Sequence, residues 1–123
     1  MPPKTAQTIH VVEDFTSVFA LAARGIQRMD MAERSVSIRR MQCFAVKGTT
    51  CVTCGRKGNI LMLDKWPDGS IHLDLFSLTD GERVLMNIDH IIPRSKGGAN
   101  RLDNYQPMCE PCNTEKGDGR DQF

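Results

Sequence analysis

No long hydrophobic run occurs in the chain. The longest purely apolar stretch, Val18 to Ala23, is six residues and follows closely on Glu13 and Asp14, whereas a membrane-spanning helix needs about 20. No membrane span and no membrane partner are therefore expected. The start, Met1-Pro2-Pro3-Lys4-Thr5, lacks the apolar segment and small-residue cleavage site of a signal peptide, so a cytoplasmic location is expected. Net charge is also scarce, at +1, so the total says nothing about nucleic acid and any such affinity must come from where the charges sit. Internal repeats and low-complexity segments are lacking. What is there, 40% hydrophobic and 25% charged residues among 123, is the composition of an ordinary globular domain and excludes a disordered tail. At this size the core is small enough for a cross-link or a metal to matter.

Periodicity and breakers divide the chain. Phe15, Val18, Phe19 and Ala22 share one face of a helix predicted from about Glu13 to Arg24 and closed by Gly25. Asp30-Met31-Ala32-Glu33 has capping-box spacing and no Pro or Gly follows before Gly48, which predicts a second helix from about Asp30 to Val46. From Asn59 the period changes to two. Ile60 to Lys65 and Ser70 to Leu75 form a predicted β-hairpin across Trp66-Pro67-Asp68-Gly69, with His72 facing water. A strand from about Arg83 to His90 should follow the turn at Thr79-Asp80-Gly81, then an irregular stretch from Pro93 to Asp103 and a short strand near Tyr105. Pro111 suits the first turn and Gly117 the end of a last helix. The class is α+β.

Charge is segregated although its sum is small. Arg34, Arg39, Arg40, Lys47, Arg56 and Lys57 lie in a stretch without a single acid, whereas the stretch from Asp64 to Asp89 is mainly acidic. The cationic stretch could meet phosphates, or it could be a solvated helix face with loop cations.

Cys51-Val52-Thr53-Cys54 and Cys109-Glu110-Pro111-Cys112 are two C-x-x-C pairs, a spacing that lets both thiolates of a pair turn toward one tetrahedral ion. Zinc suits four such sulfurs, and the long stretch between the pairs means the ion would clamp distant segments. Two redox dithiols or structural disulfides are the alternatives. Cys43, alone in an apolar helical stretch, reads as a buried small hydrophobe.

One segment carries a family pattern. It runs Asp89-His90-Ile91-Ile92-Pro93-Arg94-Ser95-Lys96-Gly97-Gly98-Ala99-Asn100, then Asp103-Asn104-Tyr105-Gln106-Pro107-Met108-Cys109, then Cys112-Asn113-Thr114-Glu115-Lys116-Gly117. The chain here resembles the HNH nuclease family of the ββα-metal fold over roughly residues 51 to 118. The family's three letters fall on His90, Asn104 and Asn113, so this is the variant ending in Asn. Residues 1 to 47 show no such match. The helices expected from periodicity make residues 1–47 an N-terminal helical region packed on the zinc-bound HNH module (48–118) that the resemblance implies, followed by a short tail (119–123).

Chemistry gives reasons for these residue types. Phosphodiester hydrolysis needs an activated water, a counter-charge on the phosphoryl oxygens and stabilisation of the departing 3′ oxygen. A histidine side chain can exchange a proton near neutral pH, which makes His90 the candidate general base. Asp89 offers an anionic oxygen and Asn113 a neutral amide oxygen, a pair that suits Mg²⁺ or Mn²⁺. Adjacent strand residues face opposite sides, so a strand end or bulge must re-aim Asp89 or His90. By the resemblance Asn104 ties down the Pro93 to Asp103 loop and orients His90. Lys116, three residues after Asn113, shares its helix face and could contact phosphate, or could simply be a cation favoured at a helix C-terminus. Arg94 and Lys96 are candidate phosphate contacts. The resulting expectation is a DNA endonuclease acting on double-stranded DNA in a bacterial or phage-infected cell, as a homodimer or with a phage packaging partner. A non-catalytic zinc-containing nucleic-acid-binding module, and a nuclease for RNA or branched DNA, are the rival readings.

Overall fold

The computed structural model describes residues 5–117; residues 1–4 and the expected tail at 119–123 lie outside them. In chain order the elements are β1 (Gln7–Val12), α1 (Thr16–Ala23), β2 (Arg28–Met31), β3 (Arg34–Ser37), α2 (Met41–Lys47), β4 (Ile60–Lys65), β5 (Ile71–Thr79), β6 (Glu82–His90), β7 (Tyr105–Cys109) and α3 (Glu110–Lys116). Two 3-10 turns, Arg94–Lys96 and Leu102–Asn104, punctuate the segment between β6 and β7. A five-stranded antiparallel sheet has the order β1-β4-β5-β6-β7, and β2-β3 is a separate hairpin. Helices and antiparallel sheets are mixed, as the α+β expectation requires.

The sequence-based hairpin at Ile60–Lys65 is β4 paired with β5, and the Asp80-Gly81 turn has both residues at positive φ, 53° and 78°. That geometry matches the twist of the flanking strands. Helix α1 starts later than expected, at Thr16, whose backbone N–H and hydroxyl both donate to Asp14 Oδ1 at 3.0 and 2.6 Å.

The helix expected from Asp30 does not form. Residues 28 to 37 are a hairpin whose two-residue turn, Ala32 and Glu33, takes φ of 50° and 63°. Met31, Val36 and Ile38 are buried while Asp30, Ser35 and Ser37 are exposed. This two-residue alternation outweighs the capping-box spacing, and the helix begins only at Met41. Strand β1, unforeseen, pairs along the edge of β4 and needed only one shielded face, so its largely exposed sequence carries little periodic signal.

One core gathers Val18 and Ala22 of α1, Met31 and Val36 of the hairpin, Met41 and Phe44 of α2, and Leu61, Leu63, Leu75, Met86 and Ile88 of the sheet. Cys43 belongs to it, and burial pushes its thiol up to about 11. His72 faces water as expected, but Asp74 on the same side of β5 is buried and pairs with Arg40 at 3.3 Å. Burial raises the Asp74 pKa despite the Arg40 guanidinium. A carboxyl raised in this way favours the fold in its protonated form, an advantage present at low pH and lost as pH rises through the raised value. Asp74→Asn is therefore expected to raise the melting temperature at neutral pH, with the gain disappearing on acidification. A fall at neutral pH would mean that the ion pair outweighs the burial.

Candidate metal centre and active site

The four paired cysteines converge. Their sulfurs all lie within 4.8 Å of one another, with Cys54 and Cys109, 55 positions apart, at 3.7 Å. Cys51 and Cys54 sit on a knuckle closed by Gly55 N–H donating to Cys51 O, and Val52 N–H donates to Pro107 O, docking the knuckle on β7. Burial opposes a thiolate at Cys51, but backbone N–H groups of Cys54, Cys109 and Thr53 outweigh it and hold the thiol at about 6. The Cys109 sulfur pushes Cys112 upward, and burial does the same to Cys109. Four thiolates this close need a cation, and a four-sulfur set could hold zinc. No disulfide joins any of the cysteines.

Cys109 ends β7 and caps α3, so the cluster sets where α3 begins. This helix lies against β6 and β7 and carries Asn113, which is fully buried, and Lys116. Asp89 is also fully buried. Its Oδ2 accepts from Lys116 Nζ at 2.7 Å and Gln106 Nε2 at 2.9 Å, and Lys116 also donates to the backbone oxygen of His90 at 3.0 Å. Lys116 is thus turned inward onto the carboxylate. A buried carboxylate without compensation is costly, and this ammonium supplies the compensation at Oδ2. Asp89 Oδ1 and both carboxamide atoms of Asn113 have no hydrogen-bond partner. Such orphaned, oxygen-bearing groups fit a hard divalent cation.

His90 is the last residue of β6, and the β6–β7 ladder keeps register from Met86↔Cys109 to His90↔Tyr105. No bulge interrupts the ladder, and His90 stands at the strand end. Its ring is 2% exposed, with Nε2 at 2.8 Å from Asn100 Oδ1 and its plane edge-on to Tyr105, centroids 5.2 Å apart. A carboxamide oxygen only accepts, so with Nε2–H as the donor in this contact Nδ1 is left as the basic nitrogen. Asn104 holds the loop that follows: Ile92 N–H donates to Asn104 Oδ1 at 2.9 Å, and Nδ2 donates to the carbonyls of Ile92 and Ala99. Gly98 must be glycine, since a Cβ there would lie 1.7 Å from the carbonyl oxygen of Ile92.

The cations do not form one surface helix. Arg40 is turned onto Asp74, and Lys47 donates to the Tyr105 carbonyl. Arg34 stands at the hairpin turn, and Arg56 and Lys57 lie on the cysteine knuckle. Arg39 lines a pocket together with Asn100 and Tyr105, and Arg94 and Lys96 share the 3-10 turn that follows β6.

Residues 77–119 match the family model of the HNH endonuclease. Over this stretch the chain is similar to an HNH module. Comparison with curated proteins and with solved structures gives no match. The matched stretch includes β6, the Asn104 loop, β7 and α3, and with them the second cysteine pair. Sequence reasoning passed over Asn100, Gln106 and Asn87 in it. Asn100 had no signal beyond its place in the loop, and Gln106 becomes a partner of Asp89 only through the β6–β7 register. Asn87 could have been found, because it lies two residues before Asp89 on a strand. Among the described residues no helix is long and apolar enough to cross a membrane.

Proposed function

We propose that the HNH module makes this protein a metal-dependent DNA endonuclease, with zinc in the cysteine cluster and Mg²⁺ or Mn²⁺ held by Asp89 and Asn113. The observation that carries the reading is the set of buried, unpartnered polar atoms on Asp89, the chain neighbour of His90, and on Asn113. A non-catalytic zinc module that only binds nucleic acid has no use for them, because each orphaned group costs about 1–3 kcal/mol. When bound, the divalent cation supplies charge for the phosphoryl oxygen and the departing 3′ oxygen.

The chain's own residues do the rest. Asn100 keeps the proton of His90 on Nε2, so Nδ1 accepts a proton from water as that water attacks phosphorus. The P–O3′ bond breaks, leaving a 5′-phosphate, and the 3′ oxygen takes a proton from solvent. Asn104 and Gly98 hold the loop that carries Asn100. Arg39, Arg94 and Lys96 are the cations best placed to hold the backbone of double-stranded DNA on the His90 side, giving salt-sensitive binding with weak sequence preference.

The test is incubation of the zinc-loaded protein with supercoiled, branched and single-stranded DNA and with RNA, in Mg²⁺, Mn²⁺ or EDTA. Conversion of supercoils to open circles in either cation and not in EDTA is expected. Binding without cutting on every substrate would leave the non-catalytic reading, and preferential cutting of RNA or branched DNA would move the substrate assignment.

A further inference from the structure

Five buried side-chain polar atoms among the described residues lack a hydrogen-bond partner, and they belong to three residues: Asp89, Asn113 and Asn87. The third has no place in the chemistry above. Asn87 is 1% exposed, and both its Oδ1 and its Nδ2 are orphaned. A carboxamide buried in an apolar core without any partner would be replaced at a gain by a residue of similar size such as Leu. Its retention calls for an occupant of the space it faces.

The ladder says which space that is. Asn87 pairs with Met108 and Asp89 with Gln106, and strand alternation puts Asn87 and Asp89 on one face of β6. That face is the one α3 covers, because Lys116 of α3 donates to Asp89 and Asn113 of α3 is fully buried. Asn87 therefore opens into the same interior as the two groups assigned to the cation. Two residues of strand rise separate Asn87 from Asp89 by about 6.6 Å along the backbone, while two oxygens on one Mg²⁺ lie at most about 4.2 Å apart. Mg²⁺ keeps much of its water, so a carboxamide at this remove reaches the ion through its hydration shell.

Resting on the nuclease reading, we infer that Asn87 is a positioning residue of the divalent-cation site, accepting from and donating to the ion's hydration water opposite Asp89 and Asn113. Residues in such supporting positions typically contribute 10–100-fold to metal affinity.

The test measures Mn²⁺ affinity of the zinc-loaded protein by electron paramagnetic resonance, together with the melting temperature with and without Mn²⁺. Asn87→Leu should fold as stably as the wild type or more so without Mn²⁺, and bind Mn²⁺ 10–100-fold more weakly. Asn87→Asp should lower the metal-free melting temperature, through carboxylate repulsion with Asp89, and bind Mn²⁺ more tightly than the wild type, so that Mn²⁺ raises its melting temperature further. Should Asn87→Leu fail to fold, Asn87→Asp decides. Unchanged Mn²⁺ affinity in the folded variants overturns the inference while leaving the nuclease reading intact. Wild type that binds no Mn²⁺, or an Asp89→Asn variant that binds it undiminished, overturns the cation site itself.

Discussion

Stripping the metal from the cysteine cluster is expected to melt the C-terminal half of the chain. Structural zinc in small domains contributes roughly 10–16 kcal/mol, comparable to the entire stability of an ordinary domain, about 5–15 kcal/mol. The topology shows where the loss would spread. Cys51 and Cys54 flank Val52, which docks the knuckle on β7, Cys109 terminates β7, and Cys112 lies in the first turn of α3. Releasing the sulfurs frees α3, and with it Asn113 and Lys116, from β6. A strong chelator, with metal loss verified by elemental analysis, should therefore reduce far-UV ellipticity and lower the melting temperature steeply. Cys109→Ser should do the same at its next purification. Cys43→Ala is the control: its thiol is buried in the core at a distance from the cluster's chemistry, and it should keep one zinc per chain. An unchanged spectrum and melting temperature after complete metal removal would refute the assignment.

The same contrast between local and long-range information decides what the chain declared in advance. The β4–β5 hairpin and the Asp80-Gly81 turn were legible because Pro, Asp and Gly act on their own backbone within a few residues. The two C-x-x-C pairs were legible because ligand spacing is local, although their meeting is not. The stretch from Asp30 misled because Asp-x-x-Glu spacing serves a helix start, while the alternation of Met29, Met31, Val36 and Ile38 serves a strand, and the second is satisfied only when the hairpin finds its core. The charge pattern misled for a related reason. Arg40 and Lys47 read as phosphate contacts in sequence, but Asp74 and the Tyr105 carbonyl reach them first in space. Within the site, Asp89 and His90 were visible as an adjacent pair. Gln106, Asn100 and Lys116 acquired their partners only from strand register, loop closure and the seat of α3.

Replacing His90 by Ala is expected to lower plasmid nicking in Mg²⁺ or Mn²⁺ by about 10²–10⁴-fold, the usual contribution of a general base, while zinc content and DNA binding stay as they are. The separation follows from geometry. His90 stands at the end of β6, and its ring contacts Asn100 and Tyr105 rather than the cysteine cluster. Its removal leaves a cavity, so the melting temperature should fall to some degree, and circular dichroism must accompany the rate. Two further readouts separate a base from a packing residue. Added imidazole should restore part of the nicking by His90→Ala, because it can occupy the vacated space and accept the proton. Asn100→Leu, which removes the acceptor for Nε2–H, should retain measurable cutting but alter its pH profile, since Nδ1 is then no longer fixed as the basic nitrogen. If His90→Ala cuts at the wild-type rate, another group accepts the proton. If it loses DNA binding and zinc together with activity, the residue serves the fold and the catalytic assignment of the site must be withdrawn.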